Sequence, residues 1–366
     1  MTLHIYFAKR FLRSFLSTLM VFFVILFMVD MIEQIRRFGP SDASFKDFIV
    51  LTSLNIPETL YRILPLVTLL STLALFLGLA RSSELVVTRA SGRSALKSLI
   101  APTLMALLVG AISVGVFNPI IAATTKQYET YGSKLTGSGA TTLSVTKDGL
   151  WLRQGNASGQ TVISASRVNL QGTVLFDVSF LGFDLDGRPT FRIEAEKAEL
   201  KSGAWAIENA KEWRFDNNSK IPEAAAFQAK KLSLASSLTQ DQILDSFGSP
   251  SSIPVWELPR FIERLETAGF SARIHRTFLH MELALPLLLV SMVLIGAGFT
   301  MRHTRFGRTG IMVLGALALG FGLFFIRNFA AILGENGQVP ILLAVWGPPL
   351  AAILLPLGLL LHLEDG

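Results

Sequence analysis

The stretch FLRSFLSTLMVFFVILFMVDMI, residues 11–32, decides the class of fold. Its only charged residues are Arg13 and Asp30. The hydrocarbon core of a bilayer is about 30 Å thick and is crossed by roughly 20 apolar residues in a helix. The stretch therefore predicts a transmembrane helix. It is too long for the apolar core of a cleavable signal peptide, and no A-x-A cleavage site follows it.

Five further stretches have the same apolar character, at residues 60–80, 96–121, 278–300, 310–333 and 341–361. The whole chain has 366 residues, of which 51% are hydrophobic and only 16% are charged. Soluble domains are about 25% charged. We therefore predict an integral membrane protein with six spans, three before and three after a long polar region. The net charge of +6 could indicate nucleic acid, but the basic residues cluster beside the apolar runs, as membrane topology requires.

Basic residues set the expected orientation, because cytoplasmic loops carry an excess of lysine and arginine. If the six spans alternate, three basic clusters fall on one side: the N-terminus, the loop after span two, and the loop after span four. That side is predicted to be cytoplasmic, with both chain termini. The pairs Arg36–Arg37 and Arg273/Arg276 are exceptions that fall outside.

The polar region between spans three and four predicts a β-domain outside the cytoplasm. From about residue 141 to 235 it reads as short strands with turn dipeptides such as Asp186-Gly187 and Ser202-Gly203. Apolar residues alternate at Val174, Phe176, Val178 and Phe180, which predicts that they share one face. Strands at this spacing indicate an antiparallel sandwich or roll. Residues 236–269 read as a helical connector with proline breaks.

Several charges lie at membrane depth near the outer face, where they are costly and usually functional. One interpretation is that they snorkel singly to the interface. The other is a cavity rimmed with guanidinium groups, which bind phosphates bidentately and suit a large amphiphile with a phosphorylated head group. His275, His280 and Glu282 form a further group, read either as a metal site or as interfacial anchors. The charges of the rim are Asp30, Glu33, Arg36, Arg37, Arg62 and Arg327.

Motifs for catalysis are absent from the sequence: it has no P-loop, no H-E-x-x-H and no G-x-S-x-G. It also has no cysteine, which excludes disulfides and thiol chemistry. The loop RSSELVVTRASGRS, residues 81–94, reads as a short helix capped by Ser82 or Ser83, with Glu84 in its first turn. Such a helix either lies on the inner leaflet or docks into a groove of a cytoplasmic partner through Glu84.

The sequence SELVVTRASG, residues 83–92, resembles the coupling-helix signature of the LptF/LptG permease family of the lipopolysaccharide export ABC transporter, in its LptG form. The stretch MIEQIRR, residues 31–37, is similar to the family's acidic-then-basic end of the first helix. The resemblance covers the whole chain. The family member compared carries a lysine about where Asp30 stands, so Asp30 is expected to pair with Arg36, Arg37 or Arg327 rather than to bind phosphate.

The resemblance implies a membrane α-helical fold of six transmembrane helices (3+3) with an inserted periplasmic antiparallel β-jellyroll. Residues 1–126 would hold helices one to three and a coupling helix at 82–91, residues 127–271 the jellyroll and connector, and residues 272–366 helices four to six. The protein would lie in the inner membrane of a Gram-negative bacterium. It implies ATPase coupling by Glu84, Arg81, Leu85 and Arg89, and lipid binding by Glu33, Arg36, Arg37, Arg62 and Arg327.

The implied partners are an LptF-like permease subunit, two LptB-like ATPase subunits, an LptC-like bitopic protein and lipopolysaccharide. The chain would hold no cofactor and would not be an enzyme, because ATP and Mg²⁺ would bind the partner ATPase. Alternatives are a membrane-anchored scaffold whose β-domain binds envelope partners without transport, a permease for another lipid, and, with least support, a membrane enzyme. A scaffold would not need to co-purify with an ATPase.

Overall fold

The computed structural model describes residues 2–39, 43–84, 87–88, 94–136, 142–146, 149–156, 159–168, 173–184, 186–201, 203–215, 226–236, 249–267, 271–301 and 309–364. Its contacts divide the chain into two compact units. The first, called the membrane unit here, comprises Met1–Thr136, Pro254–Trp256 and Arg276–Gly366. The second, called the β-unit, comprises Gly137–Ile253 and Glu257–His275. The first boundary lies about ten residues beyond the domain boundary that was predicted at residue 126.

The helices are α1 (Thr2–Phe38), α2 (Phe45–Arg62), α3 (Leu64–Arg81), α4 (Ala95–Ile112), α5 (Asn118–Thr136), α6 (Leu258–Thr267), α7 (Arg273–Thr300), α8 (Thr309–Glu335) and α9 (Ile341–Glu364). A π-helical turn, Ser113–Phe117, joins α4 to α5. Among the described residues, six helical segments are long and apolar enough to cross a membrane. They cover the six predicted spans, except that the second begins at Leu64 rather than at residue 60 and the sixth ends at Gly358 rather than at residue 361. This confirms the 3+3 arrangement.

Helix α2 was not predicted, although its start carries a recognisable signal. Ser44 and Asp47 form a capping box: the Ser44 backbone N–H donates to the Asp47 carboxylate at 2.7 Å. Such a box satisfies backbone donors that the first helical turn leaves free. The helix ends at Arg62 because Pro65, in the first turn of α3, cannot continue it.

Helices α3 and α7 form the centre of the membrane unit. In α7, 78% of an 18-residue apolar stretch is buried within the protein, whereas in α1 the figure is 6%. A Cβ on Gly296 of α7 would lie 2.9 Å from Thr72 of α3, and a Cβ on Gly110 of α4 would lie 2.5 Å from the Pro286 Cα. Small residues thus allow close helix contact, as is common in membranes. The exposed apolar surface of α1 must be covered by lipid or by another protein.

The β-unit is an antiparallel sheet inserted between the third and fourth spans, as predicted. In the described residues, its seven strands follow one another in sheet order as they do in sequence. Gly187 and Gly203, the second residues of two predicted turn dipeptides, have φ of 80° and 82°, a conformation that glycine adopts without steric cost. The strands are β1 (Thr142–Thr146), β2 (Gly149–Asn156), β3 (Gly159–Val168), β4 (Val174–Phe183), β5 (Pro189–Lys201), β6 (Ala204–Arg214) and β7 (Phe227–Ala235).

A crease crosses four strands of this sheet. Along each strand the buried residues alternate up to a break at which two successive positions, instead of one, are not buried, and a further buried residue follows beyond the break. The breaks fall at one register position, which carries Ser166, Asp177, Glu196 and Asn209. Asp177 and Asn209 have φ of 51° and 53°, which turns the chain and moves the next side chain to the other face. The predicted shared face of Val174, Phe176, Val178 and Phe180 is therefore wrong: Leu175, Val178 and Phe180 are the buried residues.

The crease folds the sheet onto itself. In a flat sheet with this register, the side chains of Phe180 and Trp205 would be about 25 Å apart. Their ring centroids are 6.0 Å apart. In the same way Ser236, next to the end of β7, donates to the Gln154 side chain of β2 at 2.9 Å. The predicted jellyroll is thus a single folded meander in the described residues, and not a pair of Greek keys.

Candidate functional site

The carboxylate of Glu84 lies at the centre of a charged cluster near the N-terminal end of α1. Arg10 Nη1 donates to both carboxylate oxygens, at 2.6 and 2.7 Å. The hydroxyls of Tyr6 and Ser82 donate to it at 2.8 and 2.7 Å. The Arg10 guanidinium also lies 5.7 Å from the centre of the Tyr6 ring. The loop that follows α3 is therefore held against α1.

Local backbone geometry directs Glu84 toward α1. Helix α3 ends at Arg81, and Ser83 has φ of 57°, so the chain turns sharply before Glu84. Beyond this point, the Val87 N–H donates to the Ser83 carbonyl at 3.2 Å and the Thr88 hydroxyl donates to the Glu84 carbonyl at 2.7 Å. The Arg10 hydrogen bond, with help from Ser82, lowers the pKa of Glu84 to about 2. Glu84 is thus charged at any physiological pH.

The structure describes part of the predicted coupling residues. Arg81 is exposed, and Glu84 is partly exposed, with a side-chain exposure of 36%. Leu85 and Arg89 lie outside the described residues, as does half of the predicted helix at 82–91. Sequence reasoning missed Tyr6 and Arg10. Their separation of four residues places them on one helix face, but nothing in the sequence links that face to residue 84.

The second charged region lies near the C-terminal end of α1. Arg10 and Glu33 are separated by 23 residues of this continuous helix, which is about 35 Å at 1.5 Å per residue. That distance exceeds the thickness of a hydrocarbon core. The two charged regions of α1 can therefore face opposite sides of one membrane.

The arginines of the predicted rim are largely exposed and have local partners. Arg36 forms an ion pair with Glu33 at 2.7 Å and keeps 78% side-chain exposure. Arg37 donates to the Tyr128 hydroxyl at 3.3 Å. Exposed ion pairs contribute little to stability. Both guanidinium groups are exposed, so an anionic ligand can reach them.

Arg62 combines a charge with an apolar cavity. It pairs with Glu58 at 3.0 Å and lines a cavity of about 130 Å³ together with residues of α3, α7 and α8, including Leu69, Met292 and Phe321. The Arg62 guanidinium therefore lies beside an apolar cavity. Its role in lipid binding stays a prediction.

Arg327 has different neighbours from the arginines of α1. It is half-buried in α8 and interacts electrostatically with Glu282 of α7 and with Tyr61. Glu282 is 6% exposed and accepts hydrogen bonds from Tyr61 and, at 3.0 Å, from Asn118. Sequence reasoning had grouped Glu282 with two histidines. No metal-binding group of three or more acids and histidines is found among the described residues.

Asp30 is paired with amides and not with the arginines expected for it. Its carboxylate accepts from Asn55 at 2.6 Å and from Gln34 at 3.3 Å. Among the residues that the structure describes, Asp30 forms no ion pair with Arg36, Arg37 or Arg327. Through its hydrogen bond with Asn55, Asp30 therefore links α1 to α2.

Six helices of membrane-spanning length, an antiparallel β-unit inserted between the third and fourth, and charged clusters at both ends of the first define a multi-pass membrane protein with a large extramembrane domain. The family model described as "Lipopolysaccharide export system permease LptF/LptG" matches residues 5–362. The chain belongs to this family.

Relatives of this chain carry a more specific description. It is 26% identical over 362 residues to the "Lipopolysaccharide export system permease protein LptG" of Haemophilus influenzae, covering 96% of this chain and 95% of that one. It is 21% identical over 353 residues to the protein of the same description from Escherichia coli K12, covering 96% and 93%. The similarity thus extends over both units.

Proposed function

We propose that this protein is one of two permease subunits of an ABC transporter that extracts lipopolysaccharide from the outer leaflet of the inner membrane. Its β-unit would receive the lipid and pass it toward the outer membrane. The observation that carries the proposal is the family match over residues 5–362, which includes both the membrane spans and the β-unit. Both relatives are described as LptG, which favours the LptG branch of the family.

The proposed complex contains an LptF-like permease subunit, two LptB-like ATPase subunits and an LptC-like bitopic protein. The apolar surface of α1 that this chain leaves exposed is available to a membrane-embedded partner as well as to lipid. ATP and Mg²⁺ would bind in the ATPase subunits, and this chain would contribute no cofactor and no catalytic residue. The sequence has no P-loop, which supports that division of labour.

In the proposed orientation, both termini and Glu84 face the cytoplasm and the β-unit faces the periplasm. The loop with Arg81, Glu84, Leu85 and Arg89 would contact the ATPase. Glu33, Arg36, Arg37, Arg62 and Arg327 would lie near the phosphates of the lipid. Glu84 is held by Arg10, so movement of the loop would pull on α1 as well as on α3.

The test is to express the chain with its candidate partners, purify the complex through this subunit, and identify the bound protein and lipid. Transport predicts that an ATPase co-purifies and that ATP drives release of lipopolysaccharide. Arg37→Gln and Arg62→Gln should each reduce photocrosslinking to the lipid, and Arg13→Gln, an exposed arginine near the N-terminal end of α1, is the control. A complex without ATPase would favour the scaffold, and unchanged crosslinking in both variants would exclude the rim.

A further inference from the structure

The buried carboxylate of Glu282 takes part in a chain of hydrogen bonds that the proposed mechanism does not use. Tyr61, at the end of α2, donates its hydroxyl to this carboxylate, and Asn118, at the start of α5, donates its amide at 3.0 Å. Buried acids are expensive in membranes and are generally functional. Here two donors and the nearby charge of Arg327 compensate the acid.

Asn118 extends this chain to the segment that returns from the β-unit. Its amide oxygen accepts the backbone N–H of Val255 at 2.8 Å, while its amide nitrogen donates to Glu282. An amide can do both, because it carries a donor and an acceptor on one carbon. Aspartate would keep the acceptor but would set a second negative charge against Glu282.

Pro254–Trp256, called the strap here, belongs to the membrane unit although the residues on either side belong to the β-unit. The Val255 side chain is 2% exposed in the membrane-unit core. The Trp256 indole N–H donates to the Gly115 carbonyl at 3.3 Å, within the π-helical turn. Such turns are common at functional positions. The strap is thus fixed to the helix pair through which the chain leaves the membrane unit.

We propose that Glu282 and Asn118 are positioning residues that lock the strap, and that this lock is required for lipid to pass from the membrane unit to the β-unit. The inference rests on the proposed function. Glu282 interacts with two groups that have different tasks: it accepts a hydrogen bond from Asn118, which holds the strap, and it interacts electrostatically with Arg327, which is proposed to meet the lipid phosphates. A change of charge at Arg327 therefore acts on the carboxylate that holds the strap. By linkage, locking and lipid binding must affect each other equally.

The experiment measures hydrogen exchange of the Val255 amide in the purified complex and, in parallel, the lipopolysaccharide released per ATP hydrolysed. Asn118→Ala should accelerate exchange at Val255 about five- to tenfold, the loss of one buried hydrogen bond. It should lower lipid release per ATP at least threefold, with unchanged complex assembly. Glu282→Ala should do the same.

Glu282→Gln keeps an acceptor oxygen for Tyr61 and Asn118 but removes the charge. It should retain most of the protection at Val255 and lose the response of that protection to added lipopolysaccharide. Glu335→Gln, at the end of α8, is the matched control and should change neither readout. Trp256→Phe, which removes the hydrogen bond to Gly115 together with one ring of the indole, gives a second approach if Asn118→Ala does not fold, and should act in the same direction.

Unchanged exchange at Val255 in Asn118→Ala would refute the lock. Faster exchange with normal lipid release per ATP would reduce the lock to a structural contact and overturn the positioning role. If the unmodified complex hydrolyses ATP but releases no lipid, the proposed function fails, and the role in lipid passage fails with it. The exchange data would still decide whether the lock exists.

Discussion

Replacing Arg10 with methionine should release the loop that carries Glu84 from the first helix. Methionine keeps the length and apolar character of the arginine stem but removes the guanidinium. The Tyr6 and Ser82 hydroxyls would remain as donors to the carboxylate. The substitution therefore isolates the contribution of one ion pair to the position of the loop.

The magnitude follows from exposure and geometry. Arg10 and Glu84 side chains are 29% and 36% exposed, so water screens much of their attraction. Exposed pairs contribute up to about 1 kcal/mol, and a well-formed charged hydrogen bond lies at the upper end of that range. We expect a loss of about 1 kcal/mol, which is a factor of about five in a local opening equilibrium.

The assay is hydrogen exchange at the Val87 amide, whose bond to the Ser83 carbonyl exists only when the loop is folded as described. Exchange should be about fivefold faster than in the native protein in both Arg10→Met and Glu84→Gln. In the double variant it should be no faster than in either single variant. Arg13→Met, an exposed arginine of the same helix, is the control. Additive effects in the double variant would refute direct pairing, because independent residues show no coupling.

The pH dependence has a defined sign. Arg10 lowers the pKa of Glu84 from 4.5 to about 2. A lowered carboxyl pKa gives stabilisation that is complete above 4.5 and is lost as the pH falls toward 2. The exchange difference between the native protein and Arg10→Met should therefore be equal at pH 6 and pH 8. A difference that varies between those values would show that another group titrates in the cluster.

Three further substitutions test the packing. Asn209→Val should cost about 1–3 kcal/mol because a β-branched residue is strained at positive φ, while Asn209→Gly should be tolerated; exchange rates of β5 and β6 amides measure both. Gly110→Ala should lower thermal stability by about 1–3 kcal/mol through overlap with Pro286, whereas Gly322→Ala, with open space around it, should not; equal melting temperatures would contradict the close approach. Trp205→Ala should lower the stability of the β-unit by about 3–5 kcal/mol, measured by thermal unfolding of the sheet. A loss below about 1 kcal/mol would argue against the folded sheet.

The six spans could be predicted because apolar length is a local property that the bilayer alone dictates. The crease could not be predicted from one strand, because a single skip in alternation resembles noise. It becomes recognisable when four strands are aligned by register, and register is a product of folding. Asp177 and Asn209 are the only local signal, since these residue types tolerate positive φ.

The charged sites show the same limit. Glu84 was singled out because an acid in a short apolar helix is unusual, but its partner Arg10 is 74 positions away. Glu282 accepts hydrogen bonds from Tyr61 and Asn118, which are 221 and 164 positions from it in sequence. Chemistry identifies residues that need a partner. Only helix packing determines which partner they meet.

Helix α1 is continuous between its two charged ends. It runs from Thr2 to Phe38 without proline or glycine, whereas α2, α4, α7 and α9 all contain proline. An uninterrupted helix bends little, because sharp kinks require proline, glycine or a π-bulge. A displacement imposed at Arg10 through Glu84 would therefore be carried along a continuous helix toward Glu33 and Arg36. The strap contacts other helices. The Arg10–Glu84 pair and the lock of the strap can therefore be tested by separate mutations.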